Sequence, residues 1–595
     1  MADPRTEYNT RLLSHRTAHA DASRADARVA WLRLTTFVAA VAVGVFGWNA
    51  AISWWWLVVP GVVFVVLIRW HDRVIERRED TAKLIAFYER GLARLDGHWV
   101  GHGTTGERFA DPAHLYAADL DLFGRGSLFE LLCLARTRAG EDALASWLKA
   151  PAPPGVVLDR QIAIDELTPR LDLREQLWTA GAEIATSVHP DTLVQWAEAP
   201  SLFPRWLQPL SALLTAAVIA SAIAAFSTGR YAALLAVLAA SGLVLYRYFD
   251  RISSVVHTAG SWSRDLDVLS RILAHLEKQA FDSVLLTELV STLRRLAPPP
   301  SLAIRQLHRL SEMHDWQHNV LFAAVAIPLL WTVHLALAME RWRLRHGTDV
   351  RTWLRTVGEI EALSSIAAYR YERPGDVFPD LTDATAASFV GAALGHPLLS
   401  PGKMVRNDVR LDSQQQLLVV SGSNMSGKST LLRTVGINTV LAQMGAPVCA
   451  TSLRMSPLAL GATLRIQDSL QEGRSRFFAE ITRLKDIADR AKGTPHLLFL
   501  LDELFHGTNS HDRLIGASGV LNALLERGAV GLITTHDMAL VAVADHLAPR
   551  AANVHFDDQL DGDEIRFDYR MKPGPVTSSN ALALMRAVGL DVDRP

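Results

Sequence analysis

The longest uncharged stretch of the sequence runs from Leu34 to Ile68, and none of its 35 residues is Asp, Glu, Lys or Arg. One transmembrane helix needs about 20 residues, so this stretch is too long for one span and long enough for two. Turn-forming residues lie near its middle, at 47–50. The pattern therefore predicts two helices, over 32–48 and 52–69.

A second pair of apolar stretches covers 206–226 and 231–246, joined by Ser227-Thr228-Gly229-Arg230. Apolar hairpins of a soluble protein are the alternative for both pairs, but length and lack of charge favour transmembrane hairpins. Arginines are concentrated outside each pair rather than in its turn. Because positive residues stay inside, both ends of each hairpin are predicted to face the cytoplasm, as in a multi-pass protein of the cell (inner) membrane.

The C-terminal part contains short apolar runs that lead into polar motifs. The run 417–420 precedes Gly422-x4-Gly427-Lys428-Ser429, a full P-loop, and a helical pattern follows over 431–443. In such a loop backbone N–H groups cradle phosphates, the lysine reaches the β- and γ-phosphates and the serine hydroxyl binds Mg²⁺. The predicted ATP-binding residues of the loop are Gly422, Ser423, Asn424, Met425, Ser426, Gly427, Lys428, Ser429 and Thr430.

Two further apolar runs end in residues that suit phosphate chemistry. The run HLLFLLDE (496–503) reads as a strand buried on both faces that ends in Asp502 and Glu503. Asp502 is predicted to contact, through water, the Mg²⁺ that Ser429 binds, and Glu503 is predicted to polarise the attacking water. The segment VGLITTHD (530–537) carries His536 after its apolar part, and this histidine is predicted to sense the γ-phosphate. The predicted catalytic residues are Lys428, Glu503 and His536, and the predicted cofactors are ATP and Mg²⁺.

A fifth apolar stretch, 316–339, also lacks Asp, Glu, Lys and Arg. If it crossed a membrane, the nucleotide site would lie outside the cell, so we predict a helix buried against the hairpins or a partner subunit. The predicted segments are an N-terminal cytoplasmic segment (1–30), hairpin 1 (31–70), a juxtamembrane helical region (71–117), a helical core (118–204), hairpin 2 (205–247), lever and core helices (248–380) and an ATPase domain (381–595).

Composition adds few constraints. The hydrophobic share of 49% fits a membrane part joined to a soluble part and is too low for a transporter that lies mostly in the membrane. With 60 basic and 62 acidic residues, net charge neither supports nor excludes a nucleic-acid partner. The two cysteines, Cys133 and Cys449, lack metal-ligand spacing. The sequence therefore predicts no metal cluster. It also predicts that the protein lies in a reducing compartment.

The ordered motifs resemble the MutS family. The similar segments are the P-loop and its helix (422–450), a signature segment (468–487), the strand with Asp502 and the loop after it (497–513), ITTHD (533–537), a terminal segment (569–590) and two parts of a helical core (120–147 and 357–379). The resemblance implies an α/β P-loop ATPase domain of the ABC/MutS type, C-terminal to an all-α core and lever region that carries the two transmembrane hairpins.

The resemblance also implies a homodimer in which two ATPase domains pack face to face. Ser475 would complete the partner's site, and His555 would stack on adenine. The sequence departs from repair proteins at Ser423 and Ser426, where they have proline and glycine, and at Arg513, where they have glycine. The mismatch-reading and DNA-clamp domains are not evident.

These observations leave two functions open. The first is a membrane-anchored, dimeric MutS-like ATPase that also binds DNA in repair or recombination, with Arg294-Arg295 and 341–345 as candidate phosphate contacts. The alternative is an ATP-driven engine that moves its own membrane helices or an unknown protein partner. ABC-type transport is disfavoured, because residues 473–501 contain no LSGGQ-like element and four spans are few for a translocation path.

Overall fold

Two units make up the chain, and each contains one apolar hairpin. Unit 1 comprises residues 1–133, 148–161 and 366–595, and unit 2 comprises 134–147 and 162–365. The structure, a computed structural model, describes residues 3–48, 53–181, 190–260, 262–295, 297–315, 322, 325–423, 425–464, 476–505, 510–561 and 564–576.

The helices of the described residues are α1 (Pro4–Trp48), α2 (Val58–Leu95), α3 (Leu128–Leu132), α4 (Arg138–Lys149), α5 (Pro154–Leu167), α6 (Leu171–Ala180), α7 (Pro190–Glu198), α8 (Leu207–Thr228), α9 (Ala232–Gly260), α10 (Ser263–Leu276), α11 (Val284–Arg294), α12 (Pro300–Asp315), α13 (Trp331–Glu372), α14 (Lys428–Met444), α15 (Arg476–Arg490), α16 (Ser510–Glu526) and α17 (Met538–His546). The strands are β1 (Asp380–Leu381), β2 (Phe389–Leu394), β3 (Asn407–Leu411), β4 (Leu417–Gly422), β5 (Ser452–Met455), β6 (Ala459–Thr463), β7 (Leu497–Asp502), β8 (Val530–Thr535), β9 (Ala551–Asp561) and β10 (Glu564–Pro573).

Helices α1 and α2 of unit 1 are longer than the apolar stretches that predicted them. Their apolar parts present exposed side chains such as Phe37 and Val65, whereas their polar parts bury Tyr8 and Tyr88. We call residues 4–30 and 71–95 the polar extension of hairpin 1. Its helices continue past the apolar stretch because a narrow apolar stripe between charged positions is enough to pack two helices.

The C-terminal part of unit 1 is built on two sheets. The larger has the order β10-β9-β4-β8-β7-β6 and is parallel except for β10, which pairs antiparallel with β9. The smaller has the order β1-β5-β2-β3. Strands β4 and β8 are buried throughout and β7 is buried up to Leu501, as expected for parallel strands covered on both faces. This α/β domain follows a helical region, in agreement with the predicted fold class.

Unit 2 is helical in its described residues and contains α8 and α9, joined at Gly229, which has a left-handed φ of 73°. The prediction of one helix over 316–339 is wrong in extent. Residues 327–330 form a turn in which Leu330 has φ 53°, and α13 begins at Trp331. Pro328 lacks an N–H and restricts the residue before it, which explains the interruption.

The start of α13 lies against hairpin 2. The Thr215 hydroxyl of α8 donates to the Leu329 carbonyl (3.1 Å) and lies 2.9 Å from His334 Nε2. By length and composition, four helices among the described residues could cross a membrane, and the 316–339 region contributes none of them. They are Pro4–Trp48, Trp54–Leu95, Leu207–Thr228 and Ala232–Thr258.

Candidate nucleotide-binding site

The P-loop lies between β4 and α14, where the strand ends at the carboxyl edge of the larger sheet. Gly422 and Gly427 have φ of 147° and 106°, in the region that favours glycine. Lys428 opens α14, and its ammonium donates to the carbonyls of Gly422 and Ser423, both at 2.8 Å. The described loop is therefore wrapped around the lysine that is predicted to meet the phosphates.

Lys428 is buried beside two carboxylates. Burial lowers its pKa from the ordinary value, and the charges of Glu503 and Asp502 oppose that shift. A buried ammonium attracts an anionic phosphate strongly, because little water screens the two charges.

Asp502, the last residue of β7, is oriented by two hydroxyl groups. Ser429 Oγ donates to Asp502 Oδ2 at 2.6 Å, and Thr534 Oγ1, from the neighbouring β8, donates to Oδ1. Hydroxyl and carboxylate oxygens are the donors that Mg²⁺ prefers. The pair predicted as Mg²⁺ ligands is thus brought together, and the orienting role of Thr534 was not predicted.

Glu503 follows Asp502 in a strained conformation. Its φ is 48°, in the left-handed region, and its N–H lies 3.2 Å from Thr534 Oγ1. His536 Nδ1 lies 3.2 Å from Glu503 Oε1, so the predicted acid and histidine form one pair. A residue held in such a conformation at a cavity is a common feature of catalytic sites.

A cavity of about 800 Å³ opens beside the P-loop. We call its polar part the phosphate end, formed by Gly427, Lys428, Ser429, Thr430 and Glu503. We call its other part the apolar end, formed by His396, Leu399, Met404, Val405 and Tyr569. The phosphate end was predicted from the motifs, and the apolar end was not.

Tyr569 is a candidate nucleotide contact that the sequence did not indicate. It lies at a bulge of β10 with φ 55°, and its ring is 3.1 Å from where a Cβ of Gly427 would stand. Asn407 holds this bulge, since its Nδ2 donates to the Tyr569 carbonyl (3.0 Å) and its Oδ1 accepts from Met571 N–H (2.8 Å). The ring stays 43% exposed, so burial does not account for the strain.

The other predicted contacts lie elsewhere. His555 Nδ1 is 2.9 Å from the Gly574 carbonyl and Nε2 is 3.1 Å from Asp557, and His555 is not among the residues that line the cavity. Its role in stacking on adenine stays a prediction, and Tyr569 is an exposed aromatic residue that lines the cavity. Asn424 and Ser475 lie outside the described residues.

Comparison with known proteins identifies the domain. Residues 418–592 match the family described as MutS domain V. These residues therefore form a domain similar to domain V of the MutS family. The Endonuclease MutS2 of Thermus thermophilus is 36% identical over 197 residues, which are 33% of this chain and 25% of that protein. The match thus spans about a quarter of that relative, and in this chain both apolar hairpins precede the residues that match domain V.

Proposed function

We propose that the protein is a membrane-anchored ATPase of the MutS type, which binds Mg²⁺-ATP in the cavity and hydrolyses it. The observation that carries this proposal is the arrangement around the P-loop, where Ser429 donates a hydrogen bond to Asp502 next to the Glu503–His536 pair. These side chains come from the start of α14 and from the ends of β7 and β8, which makes a chance juxtaposition a poor explanation.

The residues divide the work of hydrolysis. Lys428 balances charge on the β- and γ-phosphates, and Ser429 and Asp502 would hold Mg²⁺, which supplies further charge neutralisation at the transferring phosphoryl group. Glu503 accepts a proton from the water that attacks the γ-phosphorus, and the bond to the β-phosphate oxygen breaks to release ADP and phosphate. His536 holds the Glu503 carboxylate in place and lies where it can respond to the γ-phosphate.

The hairpins anchor the protein in a bilayer. Their helices keep large apolar side chains exposed, among them Phe37 and Val65 in hairpin 1 and Phe226 and Leu243 in hairpin 2, and soluble proteins rarely expose large apolar patches. The arginine pattern supports a cytoplasmic position of the ATPase domain. The protein acts as a homodimer in which Ser475 completes the partner's site.

DNA is the first partner to test, because the family and the name of the Thermus relative point to nucleic acid. The predicted phosphate contacts are partly used elsewhere. Arg343 is buried, and donates to Glu340 and the Pro200 carbonyl. Arg294 donates to the Glu277 carbonyl, and Arg341 and Arg345 are exposed.

The second candidate function, an engine that moves its own membrane helices, is favoured by a different observation. Hairpin 1 belongs to the same unit as the ATPase domain. In this case nucleotide binding would act directly on the anchor, and no DNA would be needed.

The ATPase rate of the full chain in lipid nanodiscs tests these functions. It should be measured with duplex, mismatched and branched DNA over a salt series, with Glu503→Gln as the inactive reference. Stimulation that fades as salt rises would support DNA contacts through phosphates. Basal hydrolysis that no DNA changes would favour the engine, and hydrolysis no faster than that of Glu503→Gln would refute the ATPase assignment.

A further inference from the structure

The polar extension of hairpin 1 ends on a buried ion pair. Arg94, in the last turn of α2, donates from Nε to Glu372 Oε2 at 2.7 Å and from Nη2 to Oε1. The side chains of Arg94 and Glu372 are only 5% and 4% exposed. Tyr8, near the start of α1, donates to Glu372 Oε1 at 3.1 Å. We call these three residues the Glu372 junction.

Packing around the junction fixes three helices together. The Tyr8 ring stacks on Tyr371 at 5.6 Å between centroids and meets the edge of Tyr88 at 5.4 Å. Gly91 makes this approach possible, because a Cβ there would stand 2.6 Å from the Tyr8 ring. Both helices of hairpin 1 are thus attached to the last residues of α13.

The residue after Glu372 contacts a segment that contributes to the nucleotide cavity. Arg373 Nη2 donates to the Pro397 carbonyl at 2.9 Å, and its guanidinium lies over the Tyr369 ring at 4.9 Å. Pro397 lies between His396 and Leu399, two residues of the apolar end. Glu372 therefore contacts hairpin 1, and the next residue contacts the segment that carries His396 and Leu399 of the apolar end.

The Glu372 junction is better suited to transmitting a movement of α13 to α2 than to holding the two helices together. Apolar side chains of similar volume would hold α2 against α13 at least as strongly, because desolvating two charges is costly. A bidentate ion pair instead fixes the relative orientation of its two side chains, since its hydrogen bonds are strong in one geometry and weak in others. Displacement of α13 at Glu372 would therefore be passed to α2 rather than absorbed.

We propose that Glu372 is a positioning residue of the nucleotide cavity, through which nucleotide binding and the state of hairpin 1 in the bilayer influence each other. The inference rests on the proposed ATPase function. Coupling between two sites is reciprocal, so a bilayer that shifts hairpin 1 changes ATP affinity by the same factor by which ATP changes the hairpin equilibrium.

The test uses the full chain in nanodiscs of short-chain and long-chain lipids. For wild type we expect the KM for ATP to differ between the lipids by about fivefold, within the usual range of coupling factors. Hydrogen exchange of residues 4–30 and 71–95 should slow when a non-hydrolysable ATP analogue is added with Mg²⁺. Glu372→Gln keeps the shape but not the charge, and should abolish both effects while kcat changes less than about twofold.

Two further variants separate coupling from stability. Glu340→Gln breaks another buried pair of the same helix, Glu340–Arg343, whose side chains are 4% and 2% exposed. This matched control should retain the lipid dependence. Tyr8→Phe loses one hydrogen bond to Glu372 and keeps the ring packing, so it should reduce both the lipid dependence of the KM and the slowing of hydrogen exchange. This variant tests the proposal if Glu372→Gln fails to fold.

The outcomes are distinct from those of the ATPase test. If wild type hydrolyses ATP but neither its KM nor its hairpin exchange responds, the inference is wrong while the ATPase function stands. Equal losses in Glu340→Gln and Glu372→Gln would show a structural role only and would also overturn it. Absence of ATP binding in wild type would instead remove the proposed function itself.

Discussion

The two ends of the nucleotide cavity differ in how they are built. The phosphate end comes from strand termini and the loops directly after them, and its side chains are held by short hydrogen bonds such as Ser429–Asp502. The apolar end is contributed by residues 396–405 and by Tyr569, from elements far apart in the chain. The polar groups of the phosphate end fix the position of charges and of a metal, and the apolar end supplies a surface for a flat ligand group.

Because of this difference, changes at the two ends should affect different kinetic constants. Changes at the phosphate end should lower kcat or the response to Mg²⁺, because they act on charge that develops during phosphoryl transfer. Changes at the apolar end should act on the KM for ATP, because contacts there are the same before and during reaction. Variants that violate this division would show that the cavity is not the ATP site.

Glu503→Gln should give the largest effect. Removing the base lowers kcat by about 10²- to 10⁴-fold. ATP binding should persist, since the amide keeps the shape of the carboxylate. Single-turnover hydrolysis and filter binding of ATP measure the two quantities, and Glu526→Gln, on the exposed end of α16, is the control. Hydrolysis by Glu503→Gln at the wild-type rate would contradict the catalytic assignment.

Thr534→Val should weaken Mg²⁺ use. The valine fits the buried position but cannot donate to Asp502 Oδ1, and loss of such an orienting contact costs about 10- to 100-fold in metal affinity. The measurement is the Mg²⁺ concentration that gives half-maximal ATPase activity. Thr535→Val removes the adjacent hydroxyl, which contacts Asp537 instead. An equal shift in both variants would mean that Thr534 has no special role.

The phosphate end could be predicted from the sequence because its residues belong to short motifs that directly follow buried apolar runs. Asp502, Glu503 and His536 each follow a buried apolar run, and parallel strands bring such ends to one edge. Tyr569 could not be found in this way, since its position depends on a bulge held by Asn407, which is distant in sequence.

The apolar hairpins show the same limit. Their uncharged length predicted the helices but not the extent of α1 and α2. That extent depends on packing between two mixed polar helices around Tyr8 and Tyr88, and neither helix alone shows an apolar pattern strong enough to mark its end.

Tyr569→Ala should raise the KM for ATP by about tenfold, because stacking of a base on an aromatic ring is worth about 1–3 kcal/mol. The value of kcat should stay close to that of wild type. Tyr569→Phe keeps the ring and should behave as wild type. His555→Ala, measured alongside, tests the residue predicted from the resemblance. A raised KM in His555→Ala with none in Tyr569→Ala would assign the stacking position to His555.

The smallest effect concerns pH. Burial, with a contribution from Arg433, lowers the pKa of His396 to about 4. The imidazole accepts a hydrogen bond from Leu398 N–H at Nδ1 (3.3 Å) and stays neutral in the folded protein. Above the ordinary pKa of about 6.5 both folded and unfolded chains hold it neutral, so it has no effect on stability.

As pH falls from about 6.5 towards 4, only the unfolded chain binds the proton, which lowers the free energy of unfolding. Between pH 7 and 5.5 the loss is about 1 kcal/mol. His396→Asn keeps an acceptor near Nδ1 but does not titrate, so its midpoint of thermal unfolding should fall less than that of wild type over this interval. Parallel pH profiles for the two proteins would mean that His396 takes up a proton as easily when folded as when unfolded, and that the apolar end is wetter than its contacts indicate.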